Sequence, residues 1–213
     1  MKTRSKALLL TLCAVLLVAA SVLGTMAYLT SSDTVTNTFT VGSVAIKLDE
    51  AQANTDGTLV PNAERVKANS YKLLPGHTYS KDPMVTVLSG SESSYIKMTV
   101  TFSKANELDA IFAPGGADLT KIFNGYDPAN WTYKDNTTDV TANTRTYEFW
   151  YKEAVGAPDG DVALDALFDS ITVPGSVTKE QLATIEGMTI TVNAYAIQAD
   201  GFADADAAWA AFN

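Results

Sequence analysis

The chain has 213 residues, 24 acidic against 15 basic, with one histidine and one cysteine. That length gives one domain a real core but leaves little room for a second. The formal net charge of −9 argues against nucleic acid and anionic lipid as partners, and Cys13, the lone cysteine, cannot form an internal disulfide.

The first element is an export segment. Lys2, Arg4 and Lys6 form a basic start, residues 7–23 run apolar without a charge, and Thr25-Met26-Ala27 places small residues at −3 and −1 of a cleavage site. Signal peptidases have shallow pockets there, so the expected cut falls between Ala27 and Tyr28. The rival is an uncleaved anchor, because an apolar run over residues 7–23 sits at the short limit for spanning a bilayer. A lipid-attached cysteine is disfavoured, since Leu12 precedes Cys13 where a small residue is wanted. Cleavage would leave 186 residues with 12 basic and all 24 acidic residues, a net charge of −12.

Residues 28–42 form the next segment. Tyr28–Phe39 is polar, rich in Ser and Thr, and free of glycine and proline. Thr34, Val35, Thr36, Thr38 and Phe39 have strand character. A strand-prone terminus can add to the open sheet edge of a neighbour. It can equally be a disordered tail or fold onto its own domain.

Residues 43–213 read as one mainly β domain, a β-sandwich with short helical insertions. Short strands are expected at 38–48, 84–88, 130–134 and 171–173, and residues 50–68, polar and without period, at a long loop or edge excursion. Ile96, Met98, Val100 and Phe102 alternate with Tyr95, Lys97, Thr99 and Thr101, the pattern of a half-buried strand. Tyr147, Phe149 and Tyr151 line one face of a strand over 145–152, with Trp150 opposite and suited to pack under a helix. Met188, Ile190, Val192, Ala194 and Ala196 make another strand face. Helices are expected around Leu108, Ile111 and Phe112; from Asp118 through Leu119, Ile122 and Phe123 to Asn124-Gly125; from a Thr178/Gln181 capping box through Leu182 and Ile185 to Gly187; and over the Ala-rich 203–212. Periodicity alone leaves jelly-roll and immunoglobulin-like topologies both open.

The stretch Gly24-Thr25-Met26-Ala27, the polar Thr-rich run after it, Phe39-Thr40-Val41-Gly42 and Val44-Ala45-Ile46-Lys47-Leu48 together resemble the signal and N-terminus of the TasA/camelysin family, secreted proteins of Gram-positive bacteria processed by a SipW-type signal peptidase. Met26 replaces a bulkier residue usual there. Leu74-Pro75-Gly76, Lys81-Asp82-Pro83, Val85-Thr86-Val87, Trp131, and Leu167-Phe168 before Ile171-Thr172-Val173-Pro174 are further, more diffuse matches. The resemblance implies a jelly-roll sandwich preceded by a signal helix. It also implies secretion to the extracellular matrix or cell surface and a structural role as a subunit of biofilm matrix fibres. Each subunit's N-terminal strand would complete the next, so the partners would be further copies of the chain, the SipW-type peptidase and other matrix proteins.

The rival functions are a camelysin-like metallo-endopeptidase and a monomeric cell-surface binding module. A zinc peptidase needs two histidines one helical turn apart and a glutamate base. The chain offers only His77, in the turn Pro75-Gly76-His77-Thr78. No Gly-x-Ser-x-Gly or phosphate loop is present, so no catalytic residue, cofactor or metal is expected. Asp159, Asp161, Asp165 and Asp169, and Asp200, Asp204 and Asp206, read as turn and cap residues, because neither set has the spacing of a twelve-residue calcium loop. Tyr147, Phe149, Trp150 and Tyr151 read as core rather than a carbohydrate platform.

Overall fold

In the computed structural model of the chain, the described residues are 42–112 and 123–212, together with Lys6, Leu8 and 10–18 near the N-terminus. Two compact units are formed, Met1–Val41 and Gly42–Asn213. In the first, residues 10–18 are helical and expose Leu10, Leu12, Leu16 and Leu17. Among the described residues no helix is long and apolar enough to cross a membrane.

The second unit is mainly β. Its strands in chain order are β1 (Ile46–Asp49), β2 (Thr78–Ser80), β3 (Met84–Val87), β4 (Ser91–Ser103), β5 (Phe123–Asn124), β6 (Trp131–Asp139), β7 (Thr144–Tyr151), β8 (Val155–Ala157), β9 (Val162–Ala163), β10 (Ser170–Thr172) and β11 (Ile190–Gln198). Among the described residues α1 (Ala105–Phe112) and α2 (Lys179–Thr184) interrupt them, and α3 (Ala205–Ala211) follows β11.

Strict alternation makes β4 the spine. Ile96, Met98, Val100 and Phe102 are wholly buried, while Tyr95, Lys97, Thr99 and Thr101 on the opposite face are half-buried. β11 pairs along one side of β4, from Ile190 opposite Phe102 to Gln198 opposite Ser94. β7 and β8 share the other side, and β6 adds beyond β7. A row of threonines, Thr191, Thr101, Thr146 and Thr137, crosses four strands on the outer face, and the Thr101 and Thr146 hydroxyls are 2.8 Å apart. Two smaller sheets, β1-β3-β9 and β2-β10-β5, complete the set. Every strand-to-strand ladder among the described residues is antiparallel.

The small sheets contribute Val85, Val87, Tyr79 and Ile171 to the same core as the β4 side chains, an arrangement consistent with a sandwich. Aromatic rings fill its centre. Phe123 stacks on Phe168 with centroids 4.4 Å apart and lies edge-on to Tyr147 and Phe149. This corrects the helix expected through Ile122, Phe123 and Asn124: Phe123 and Asn124 form β5, paired with Ile171 and Ser170 of β10. The local i, i+3, i+4 spacing suggested a helix, but the slot between Phe102, Tyr147, Phe149 and Phe168 and the free edge of β10 decide the conformation. Residues 113–122, including the proposed Asp118 cap, lie outside the described residues.

The other helix expectations hold where they are described. In α2 the Thr178 hydroxyl accepts from Gln181 N, and the Gln181 side chain accepts from Thr178 N, the reciprocal capping box. In α3, Asp204 caps the N-terminus by accepting from Ala207 N at 2.8 Å. Trp209 of this helix is 3% exposed and packs against Trp150, with centroids 6.1 Å apart. Lys97 lies 4.6 Å from the Trp209 ring centre and also faces Tyr195 and Phe212. The Trp150 face of β7 is therefore covered by the closing helix.

Candidate functional site: an open edge and a strap beside it

The sheet is less well covered on the β11 side than at its centre. Ile190, Val192, Ala194 and Ala196 lie opposite Phe102, Val100, Met98 and Ile96, yet they are only half-buried while their β4 partners are sealed. Among the described residues nothing pairs with the outer edge of β11. β1 lies beside β11, also with half-buried apolar residues, Ile46 and Leu48, but no ladder joins the two strands. The result is an opening bounded by two edge strands, with apolar side chains from both. Exposed strand edges of this kind are templates for a further strand.

The β1 side of the opening is partly closed by the excursion over 50–70. Glu50 and Val66 exchange both backbone hydrogen bonds, at 2.9 and 2.7 Å. Arg65 Nε donates to Asp49 Oδ1 at 2.5 Å, and its two terminal nitrogens reach Asp82 Oδ2 and the Asp82 carbonyl, both at 2.8 Å. Asp82 Oδ1 accepts from Ala51 N, and Asn69 ties Glu50, Ala51 and Ala53 together. Lys81 Nζ meets Glu50 Oε2 at 2.5 Å. Gly57, with φ of +91°, lets the other limb of the excursion lie against β2. A Cβ there would meet the Thr78 carbonyl oxygen at 2.7 Å, where Gly57 O now accepts from Ser80 N.

Burial opposes the charge on Asp49, but hydrogen bonds from Lys47 and Arg65, and their charges, outweigh it and hold the carboxyl below its usual range. A depressed aspartate contributes stability that is complete above the unfolded pKa, near 3.8, and is lost as pH falls through the folded value. Asp49→Asn should therefore lower stability at pH 7 by about 2 kcal/mol, through loss of a charge-assisted bond to Arg65. It should also flatten the acid limb of the stability profile. Denaturant melts at pH 7, 4 and 2.5 measure both effects; equal acid sensitivity in the two proteins would show that Asp49 is not the group titrating.

Ala27, Tyr28, Thr34, Val35, Thr36, Thr38 and Phe39, the expected cleavage and donor positions, lie outside the described residues. The described chain resumes at Gly42, and Ser43 bridges Ser91 at the start of β4, its carbonyl accepting from Glu92 N at 2.9 Å. His77 is exposed, with its ring 6.4 Å from that of Tyr79. Among the described residues no three His, Cys, Asp or Glu side chains are gathered for a metal ion. Four of the acidic residues weighed for calcium have other partners: Asp161 accepts from Ser89 N, Asp165 from Asn130, Asp204 caps α3, and Asp206 pairs with Lys134. Tyr147 and Phe149 are in the core, and Tyr151 stands edge-on to Trp131.

Arg65, Asp49, Glu50, Lys81 and Asp82 were not singled out by sequence as a polar cluster. They are spread over a stretch with no period, and only the fold brings them together. No protein-family model, curated protein or solved structure matches the chain.

Proposed function

We propose that the chain is an exported structural subunit, a jelly-roll-type sandwich that polymerises into extracellular fibres by N-terminal strand donation after cleavage between Ala27 and Tyr28. The observation that carries this reading is the half-buried inner face of β11 beside an unpaired edge. The segment before Gly42 has the complementary pattern. As a strand it would place Val35 and Phe39, with Asn37 between them, on one face and Thr34, Thr36 and Thr38 on the other. Added at β11, the first face would cover Ile190, Val192 and Ala194. The threonines would lie outward beside Thr191 and Asn193, extending the existing threonine row. Head-to-tail addition of this kind does not close on itself, so it builds a filament.

Val35→Pro tests the reading. Proline removes one ladder donor and fixes φ within the donor, outside the core of residues 42–213. Fibre yield by electron microscopy and sedimentation should fall about tenfold or more, at the cost of one strand hydrogen bond plus misfit. The melting temperature of the monomer should stay within the error of the wild type. Undiminished fibres would reject strand donation by this segment.

A further inference from the structure

Cys13 is the only cysteine, so the unit over residues 42–213 has no disulfide to staple it. At the root of the excursion three side chains are arranged to make a different covalent staple. Glu50 and Lys81 are both buried, and Lys81 Nζ donates to Glu50 Oε2 at 2.5 Å. Asn69 Nδ2 donates to Glu50 Oε1 at 3.0 Å. One buried carboxylate thus holds an amine on one oxygen and a carboxamide on the other. The orientation of the carboxamide is fixed: Nδ2 also donates to Ala51 O at 2.8 Å, and Oδ1 accepts from Ala53 N at 2.9 Å. Tyr71 stands beside Glu50 and Asn69, with its ring edge-on to the buried Tyr79, and walls the site with aromatic surface.

We propose that Lys81 and Asn69 close an intramolecular isopeptide bond, with Glu50 carrying the protons. Glu50 Oε2 takes one proton from Lys81 Nζ, which frees the nitrogen lone pair. Nζ then attacks Asn69 Cγ, and the charge that develops on Oδ1 is met by the Ala53 N–H. Glu50 passes its proton to Nδ2, the Cγ–Nδ2 bond breaks, and ammonia leaves. Nζ gives a second proton through Glu50 to the ammonia, which departs as ammonium. Nothing is oxidised or reduced, and Glu50 ends as it began. An amine attacks an amide slowly in water; fixed proximity and a proton carrier on both nitrogens are what the site adds. In the open chain Lys81 and Glu50 are an ion pair. Closure would tie residue 69 to residue 81, pinning the end of the excursion to the segment between β2 and β3 and restricting the unfolded chain as a disulfide would. None of this depends on how subunits join.

Mass spectrometry of the full chain, folded and incubated at neutral pH, tests the bond. The intact mass should be lower by one NH3 than the sequence requires, and a digest should contain a branched peptide joining Asn69 to Lys81. Lys81→Arg keeps a cation on Glu50 but removes the nucleophile, and Asn69→Ala removes the carbon attacked; both should retain their full mass. Glu50→Gln keeps the shape of the side chain and loses the proton carrier, so closure should slow about a hundredfold or more. Should that variant not fold, the wild type, Lys81→Arg and Asn69→Ala still decide whether the bond forms. A folded wild type that keeps its full mass after prolonged incubation would overturn the proposal. So would loss of ammonia that maps to Asn69 and Ser70 without Lys81, the mark of a succinimide. Closure of folded Glu50→Gln at the wild-type rate would overturn the role given to Glu50.

Discussion

A chain beginning at Gly42 is expected to stay folded and to form no fibres. The described core cluster lies within residues 42–213: it runs from Tyr79 to Ile185, and β1 starts only at Ile46. Ser43 O, which accepts from Glu92 N near the start of β4, is the first backbone acceptor tied in among the described residues of this unit. On the fibre reading, residues 28–41 serve the next subunit, so their removal subtracts the donor strand and little else. Melting by calorimetry should therefore shift by no more than a few degrees, while size-exclusion chromatography and electron microscopy should find a monomer that neither grows fibres nor extends seeds. Full-length fibres from the truncated chain would mean that the segment is a tail and that another surface joins the subunits. A large drop in melting temperature would instead place the segment in its own subunit's sandwich, as a strand that completes the fold in cis.

The parts of this fold that were legible in the sequence are those in which one period repeats for a full element. β4, β7 and β11 each alternate over eight or more residues, and in each the expected face turns to the core. The Thr178/Gln181 box and the Ala-rich closing helix were legible because caps and breakers act locally. Phe123 was not, because a two-residue strand has no period and its conformation is decided by four aromatic rings distant in sequence. The opening beside β11 was equally hidden. Ile190, Val192 and Ala194 look like any core face in sequence, and only their incomplete burial against the sealed β4 partners distinguishes them. The strap was legible as a polar excursion without period, but its anchoring was not, since its polar groups meet Asp49 and Asp82 only after β1 and β3 are paired.

The second large effect concerns Glu50 and Lys81, whose side chains are only 7% and 9% exposed and meet at 2.5 Å. Removing one partner leaves the other charged and buried. Lys81→Met should therefore cost about 3 kcal/mol, since single truncations of buried pairs fall near 3–5 kcal/mol. That is a large part of the 5–15 kcal/mol that typically holds a domain together. Glu50→Met should cost at least as much, because it also strips Asn69 Nδ2 of an acceptor 3.0 Å away. The double variant Glu50→Met/Lys81→Met should recover most of the loss, because two methionines exchange two desolvated charges for apolar contact. The double-mutant cycle should then give a coupling of about 2 kcal/mol or more, beyond the few tenths by which independent sites depart from additivity. Strictly additive losses in urea melts would show that water reaches the pair and that its charges are solvated. With strong coupling, the pair fixes the direction in which the chain leaves β1 at Glu50. Its backbone bonds to Val66 would then be the part of the excursion free to break, while the ion pair below keeps β1 and the segment before β3 in register.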